Sequence, residues 1–279
     1  MSGCPYRSQR TRPGSGARTG GRSWTWGWQA LVRSWGRLGR AGRRHRRRAR
    51  GRGARVALAA RPSERLDAAV ARLGASALAA PADLSTPDGP ASSVAAAVAG
   101  LGGLDLVVVN SGGPPPGTFE ELDEDTWRRA IDGTLWSALR VIRAALPHLR
   151  ASDRPAVLVI LSSSAREPIA GLTTSNLIRP GLAGLIKSLV PEIVPVRING
   201  LAPGRLATAR IAQIDEARAA TTGEPLEQVR ASTVGRIPLG RYGDPAELGR
   251  VGAFLLSPAA SYVTGAIVPV DGGMVRALP

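Results

Sequence analysis

Short apolar runs, each followed by a segment of helical spacing, restrict this chain more than any other feature. The runs are residues 55–60 (Arg-Val-Ala-Leu-Ala-Ala), 77–80, 104–109 and 157–161. Each is too brief for a helix and, apart from Arg55 and Asp105 near their starts, free of polar residues, the pattern of a strand buried on both faces. Between the first two, Leu66, Val70 and Leu73 recur at helical spacing, with Ser63 placed to cap the start and Gly74 to stop the end. Further helices are predicted near residues 91–99, over 124–149, and in the apolar stretch that ends at Leu189. Strands alternating with helices imply an α/β fold: a doubly wound parallel sheet with helices on both faces. At 279 residues the chain can bury one such core. Ligands of such sheets bind beyond the carboxyl ends of the strands.

Three polar residues stand at successive strand ends. Arg61 occupies a tip where an acidic residue would accept a ribose 2′-hydroxyl, and an arginine there favours a 2′-phosphate instead. Asp83 suits an adenine amine or the cap of a turn. Asn110 opens the rigid loop Asn-Ser-Gly-Gly-Pro-Pro-Pro-Gly and suits a cofactor contact or the turn itself. Singly each has an ordinary structural role; together they favour a dinucleotide site.

The net charge of +16 would suggest a nucleic-acid partner if it were spread over the chain. It is not. Residues 1–55 hold 16 arginines and no acidic residue, and the remainder carries 21 charges of each sign. The chain therefore divides into an Arg/Gly/Trp-rich segment, residues 1–53, expected to be irregular and to supply neither a helix face nor a strand, and a domain over 54–279. Arginines and tryptophans suit phosphates and bases, but repeated RGG or RS units are absent, which argues against nucleic acid. A second reading is that the segment is GC-rich DNA read out of frame. Shifting by one nucleotide across residues 36–50 permits G-A-S-G-G-L-G-A-A-I-A-A-A-L-A, a glycine-rich turn entering a helix, at the distance a first βα unit requires. As written, Trp35-Gly36-Arg37-Leu38-Gly39-Arg40-Ala41-Gly42 spaces its glycines by three, but no apolar strand feeds it. A missing first strand and phosphate turn predict weak cofactor binding. The lone Cys4 excludes an internal disulfide and points to a cytoplasmic setting. With two histidines it leaves no zinc-site pattern. No apolar run suits a membrane span or a secretory signal.

The second half carries a specific ordered set: Asn110-Ser111-Gly112, Ser162, Asn199-Gly200-Leu201-Ala202-Pro203-Gly204 with Thr208 four residues on, residues 236–247 (RIPLGRYGDPAE), Tyr262-Val263-Thr264-Gly265, and Val270-Asp271-Gly272-Gly273. This set resembles the short-chain dehydrogenase/reductase family, in particular its 3-oxoacyl-carrier-protein-reductase-like branch, from about Gly53 to Gly273. The resemblance implies a Rossmann-type domain with a seven-stranded parallel sheet, a homodimer or homotetramer, and hydride transfer between NAD(P)H and a small carbonyl or alcohol; Arg61 then favours NADP, NAD being less favoured. By resemblance, Asn110 and Gly112 line the cofactor, while Pro203, Gly204 and Thr208 hold its carboxamide. Ser162 bonds the substrate carbonyl, and residues 209–235 form a substrate lid.

The pattern departs from the family at its chemical centre. The family uses a tyrosine acid four residues before a lysine, and in this register those positions are Ser175 and Arg179. Ser162 lies thirteen residues before Ser175, the family spacing. The position of the family's relay asparagine falls on Thr134. A serine hydroxyl is a far weaker acid than a phenol of pKa about 10, and arginine holds charge without shuttling protons. Lys187, the only lysine, reads as a surface residue, and Arg166-Glu167 as a loop ion pair. Three functions therefore stand: an NADPH oxidoreductase with non-standard residues, a non-catalytic dinucleotide-binding or subunit-interface relative, or a nucleic-acid binder acting through the basic segment.

Overall fold

The computed structural model describes residues 29–33 and 54–277. Seven strands form one sheet in the order β3-β2-β1-β4-β5-β6-β7. They are β1 (Gln29–Arg33), β2 (Arg55–Ala59), β3 (Ala77–Ala79), β4 (Leu106–Val109), β5 (Ala156–Ile160), β6 (Arg197–Pro203) and β7 (Ile267–Val270). The helices are α1 (Glu64–Leu73), α2 (Gly89–Leu101), α3 (Glu124–Ala130), α4 (Ser137–Arg150), α5 (Thr173–Glu192), α6 (Ala209–Thr222), α7 (Leu226–Gly235) and α8 (Pro245–Leu256).

The fully apolar strands follow from burial on both faces. Val107, Val109, Val157 and Val159 point to one side, against Ala97 of α2, Val141 of α4 and Leu182 of α5. Val108, Leu158 and Ile160 point to the other, against Leu66 of α1 and Leu248 of α8. Alternation with period two thus feeds two cores from one sheet. The helix ends obey local chemistry. Ser63 accepts from Leu66 N to start α1, and Gly74 ends it at φ 63°. Asp244 and Glu247 form a capping box on α8, with Arg241 forked onto both Glu247 oxygens at 2.8 Å.

The first strand corrects the expectation that residues 1–53 supply none. Ala30-Leu31-Val32 pairs with β2 on one side and β4 on the other, and Val32 is buried. Without it, β2 and β4 would each leave a row of backbone groups unpaired in the middle of the sheet, and three apolar residues suffice to fill that gap. The local composition, arginine and tryptophan on both sides, hid so short a run. The direction is a second correction. β1 is antiparallel to both neighbours, whereas β2–β3, β4–β5, β5–β6 and β6–β7 are parallel. Arg33 therefore lies beside Arg55 at the amino-terminal edge, not at the carboxyl edge where the other loops converge. The glycines at 36, 39 and 42, and the out-of-frame reading of residues 36–50, fall outside the described residues.

Candidate active site

Two loops at the carboxyl edge are stitched together before any reacting group is placed. Gly117 N donates to Gly171 O at 2.7 Å, and Thr173 N donates to Gly117 O. Thr174 Oγ1 donates to Pro115 O at 2.7 Å. Asn176 clamps the loop before α5 from both sides: its Oδ1 accepts from Ile169 N and its Nδ2 donates to Ile169 O, both at 2.9 Å. Thr174 and Asn176 flank Ser175, so the first turn of α5 is fixed to both loops. Neither residue was singled out from the sequence, because each works through backbone groups that only the folded loops bring to it.

Ser175 and Arg179 face the interior, one helical turn apart, at 7% and 5% exposure. The Ser175 hydroxyl is 2.9 Å from that of Ser164, itself 2% exposed. Sequence spacing pointed to Ser162, whose Oγ instead accepts from Ser164 N and caps the turn Ser163–Ala165. Among the described residues the Ser162 hydroxyl donates to no partner. Arg179 donates from Nη1 to Ile160 O, the last carbonyl of β5, at 2.8 Å. Its Nε is buried with no hydrogen-bond partner. Among the described residues no carboxylate pairs with it. Burial alone pulls this guanidinium down to about 10, so it stays cationic at neutral pH. A buried, partly unsatisfied cation of this kind is costly without a ligand.

The relay-asparagine position, Thr134, is buried inside a π-helical turn, Ile131–Trp136, between α3 and α4. Such turns widen the backbone locally and favour functional sites. At the outer strand ends the ordinary roles are visible. Arg61 is exposed, and its charge helps hold the Asp83 carboxyl below the usual range, after the hydrogen bonds from Ser85. Both bonds, from Ser85 N at 2.9 Å and Ser85 Oγ at 2.6 Å, make Asp83 a turn cap. Asn110 is half-buried and Gly112 exposed at the end of β4. Pro203 closes β6, and Thr208 caps α6 by accepting from Ile211 N. Gly204 is required by space: a Cβ there would lie 2.6 Å from Asp271 Cβ and 2.8 Å from Asp271 Cα. Lys187 is exposed, as anticipated. Arg166 donates to Ile267 O and forms no ion pair with Glu167.

Over this edge lie α6 and α7. The one buried residue of α6 is an acid, Asp215. It accepts from Tyr242 Oη at 2.8 Å and lies 3.8 Å from Arg205 Nη1. Tyr242 is held above its ordinary pKa, first by burial and then by its bond to Asp215. Residue Arg210 of α6 reaches back over the loop after β4, where a Cβ on Gly113 would lie 3.9 Å from its Nε. Of the segment expected to be a lid, α6 is thus pinned by polar contacts, while α7 buries Val229.

Among the described residues there is no cluster that could ligate a metal, and no helix long and apolar enough to cross a membrane. A family model described as Enoyl-(Acyl carrier protein) reductase matches residues 42–275. The chain is 33% identical over 194 residues to cis-4-hydroxycyclohexanecarboxylate dehydrogenase of Sinomonas cyclohexanicum, covering 68% of this chain and 74% of that one. The structure of L-sorbose reductase from Gluconobacter frateurii, solved with NADPH and L-sorbose, superposes with a TM-score of 0.75 at 27% identity, covering 80% of this chain and 87% of that one. An NADPH-bound short chain oxidoreductase from Pseudomonas aeruginosa PAO1, described as containing an atypical catalytic center, gives 0.71 at 30% identity, with coverage of 80% and 87%. Fold, motif order and these similarities agree: the chain belongs to the short-chain dehydrogenase/reductase family.

Proposed function

We propose that this chain is an NADP(H)-dependent oxidoreductase acting on a small carbonyl or alcohol, with Ser162, Ser175 and Arg179 in place of the usual set. The observation that carries the reading is Arg179: a buried cation with an orphan Nε, one turn from a buried serine, at the carboxyl end of β5. A purely structural position would not keep an unsatisfied charge there. A polar ligand supplying acceptors, such as a ribose hydroxyl, fits this set. When bound, the nicotinamide supplies the hydride. Asn110, Gly112, Pro203, Gly204 and Thr208 would hold it at the strand ends, Arg179 would take the ribose, and Arg61 would favour the 2′-phosphate of NADP over NAD. Asp83 remains the adenine contact of this reading, with its backbone turn already formed. Ser162 directs its free proton at the substrate oxygen. Ser175, or a water beside it, relays to that oxygen the proton it takes up on reduction and is reprotonated from solvent. The NADPH-bound relatives, one described by its atypical catalytic center, support this choice of cofactor and an unusual centre.

The test is NADPH oxidation, followed at 340 nm, with a panel of small ketones and aldehydes. Turnover that Arg179→Ala abolishes supports the reading; turnover unchanged by that substitution refutes the site. One observation favours a second reading, a dinucleotide-binding member without turnover. β1 ends at Arg33 on the amino-terminal edge, opposite the carboxyl edge where a phosphate turn would have to stand. That geometry also leads us to expect an NADPH Kd weaker than micromolar. NADPH binding without turnover of any substrate would select this reading.

A further inference from the structure

We propose that Ser164 is a positioning residue that donates its hydroxyl proton to Ser175 Oγ and so leaves the Ser175 proton directed at the substrate. This inference rests on the oxidoreductase reading given above and extends its site by one residue that spacing did not reveal.

A hydroxyl has one proton and two lone pairs. In the Ser164–Ser175 contact of 2.9 Å, one oxygen donates and the other keeps its proton for something else. Burial decides which. Among the described residues, Ser164, at 2% exposure, is bonded through its hydroxyl to Ser175 only, so a Ser164 that merely accepted would leave its own buried proton without an acceptor. Ser175 is the more open of the two at 7%. Its proton can be satisfied by a ligand arriving at the carboxyl edge. The Arg179 cation, one turn along the same helix, stabilises electron density on Ser175 Oγ, as a proton donor at that position requires. The backbone supports the same direction. Ser164 N is tied to Ser162 Oγ at 3.1 Å, and Ala165 N to Ser162 O at 3.0 Å, so the 3₁₀ turn aims Ser164 at α5 and away from solvent. Ser162 and Ser175 then each present a free proton to one substrate oxygen, with Ser164 behind them. Chains of hydroxyls polarise one another, so the donor at the front of the chain gains acidity from the one behind it.

The experiment is a double-mutant cycle on the full chain: wild type, Ser164→Ala, Ser175→Ala and the double variant, with Ser164→Thr as the hydroxyl-retaining control. The assay is NADPH oxidation with the carbonyl compound that wild type reduces fastest. Ser164→Ala is expected to lower kcat by about 3- to 10-fold, the range of one net hydrogen bond, with the substrate KM essentially unchanged and the melting temperature lowered by no more than about 2–4 °C. Ser164→Thr should restore kcat. In the Ser175→Ala background, removing Ser164 should change kcat by less than twofold, because its effect passes through Ser175. An unchanged kcat in Ser164→Ala overturns the proposal, as does a loss that persists in the Ser175→Ala background or a change confined to KM. If wild type reduces no compound in the panel, the oxidoreductase reading falls and the proposal falls with it.

Discussion

Arg179→Met separates a site residue from a structural one, because the two roles predict opposite changes in stability. Methionine fills a similar volume without charge. The depression of the Arg179 guanidinium from its ordinary value to about 10, caused by burial, corresponds to about 3 kcal/mol of unfavourable free energy for the charged form in the folded state. This penalty is present at every pH below about 10. It is relieved only as pH rises above about 10, where the unfolded chain still holds a proton that the folded chain has released. Against this stands the bond to Ile160 O, whose loss leaves a buried carbonyl short of a donor at a cost of about 1–3 kcal/mol. The balance is roughly zero to 2 kcal/mol in favour of the variant. At about 2–4 °C per kcal/mol for a domain of this size, the melting temperature should stay level or rise by up to about 8 °C, while NADPH-dependent turnover disappears. Differential scanning calorimetry and the 340 nm assay on the same preparation check both halves. A fall of more than about 4 °C would show that Arg179 mainly fastens α5 to β5, and the site reading would lose its principal support.

Three further outcomes are expected. Tyr242→Phe removes one hydrogen bond to buried Asp215 and costs about 1 kcal/mol; hydrogen exchange and tryptic cleavage at Arg210 and Arg218 in α6 should accelerate while the sheet is unaffected, and unchanged exchange in α6 would mean that Arg205 and packing hold it alone. Gly204→Ala places a Cβ 2.6 Å from Asp271, against backbone that cannot rotate away; a loss of about 1–3 kcal/mol by urea denaturation is expected, and an indifferent substitution would contradict the tight β6–β7 junction. Glu247 is held down to about 2, first by the hydrogen bond from Arg241 and then by that from Asp244 N. A depressed carboxyl contributes its stability above the ordinary 4.5 and loses it as pH falls toward 2. Melting temperature against pH should therefore drop less steeply below 4.5 in Glu247→Gln than in wild type, and parallel curves would show that the capping pair contributes nothing.

The residues that settle the architecture are those whose effect is local or periodic. The apolar runs at 55–60, 104–109 and 157–161 become strands because hydrophobicity on both faces has few other solutions, and Ser63, Gly74 and Asp244 cap or stop helices through neighbours within a few positions. The motif order from Asn110 to Asp271 was enough to imply the family, and the thirteen-residue interval from Ser162 to Ser175 gave a register that brings Ser175 and Arg179 to one interior face. What the chain alone left undetermined depends on partners far apart in sequence. Gln29–Arg33 is a strand only because two neighbouring strands present unpaired edges to it, and its antiparallel direction follows from pairing, not from composition. Ser164 meets Ser175 across the loop that Asn176 clamps. Asp215 finds Tyr242 and Arg205 from separate segments, and Arg179 keeps an unpartnered Nε because the fold offers it one carbonyl and no carboxylate. Sequence thus determined which residues reach the carboxyl edge of the sheet. Tertiary packing decided which of them touch, because hydrogen bonds and charges act over a few ångströms and that proximity is created only when the strands align.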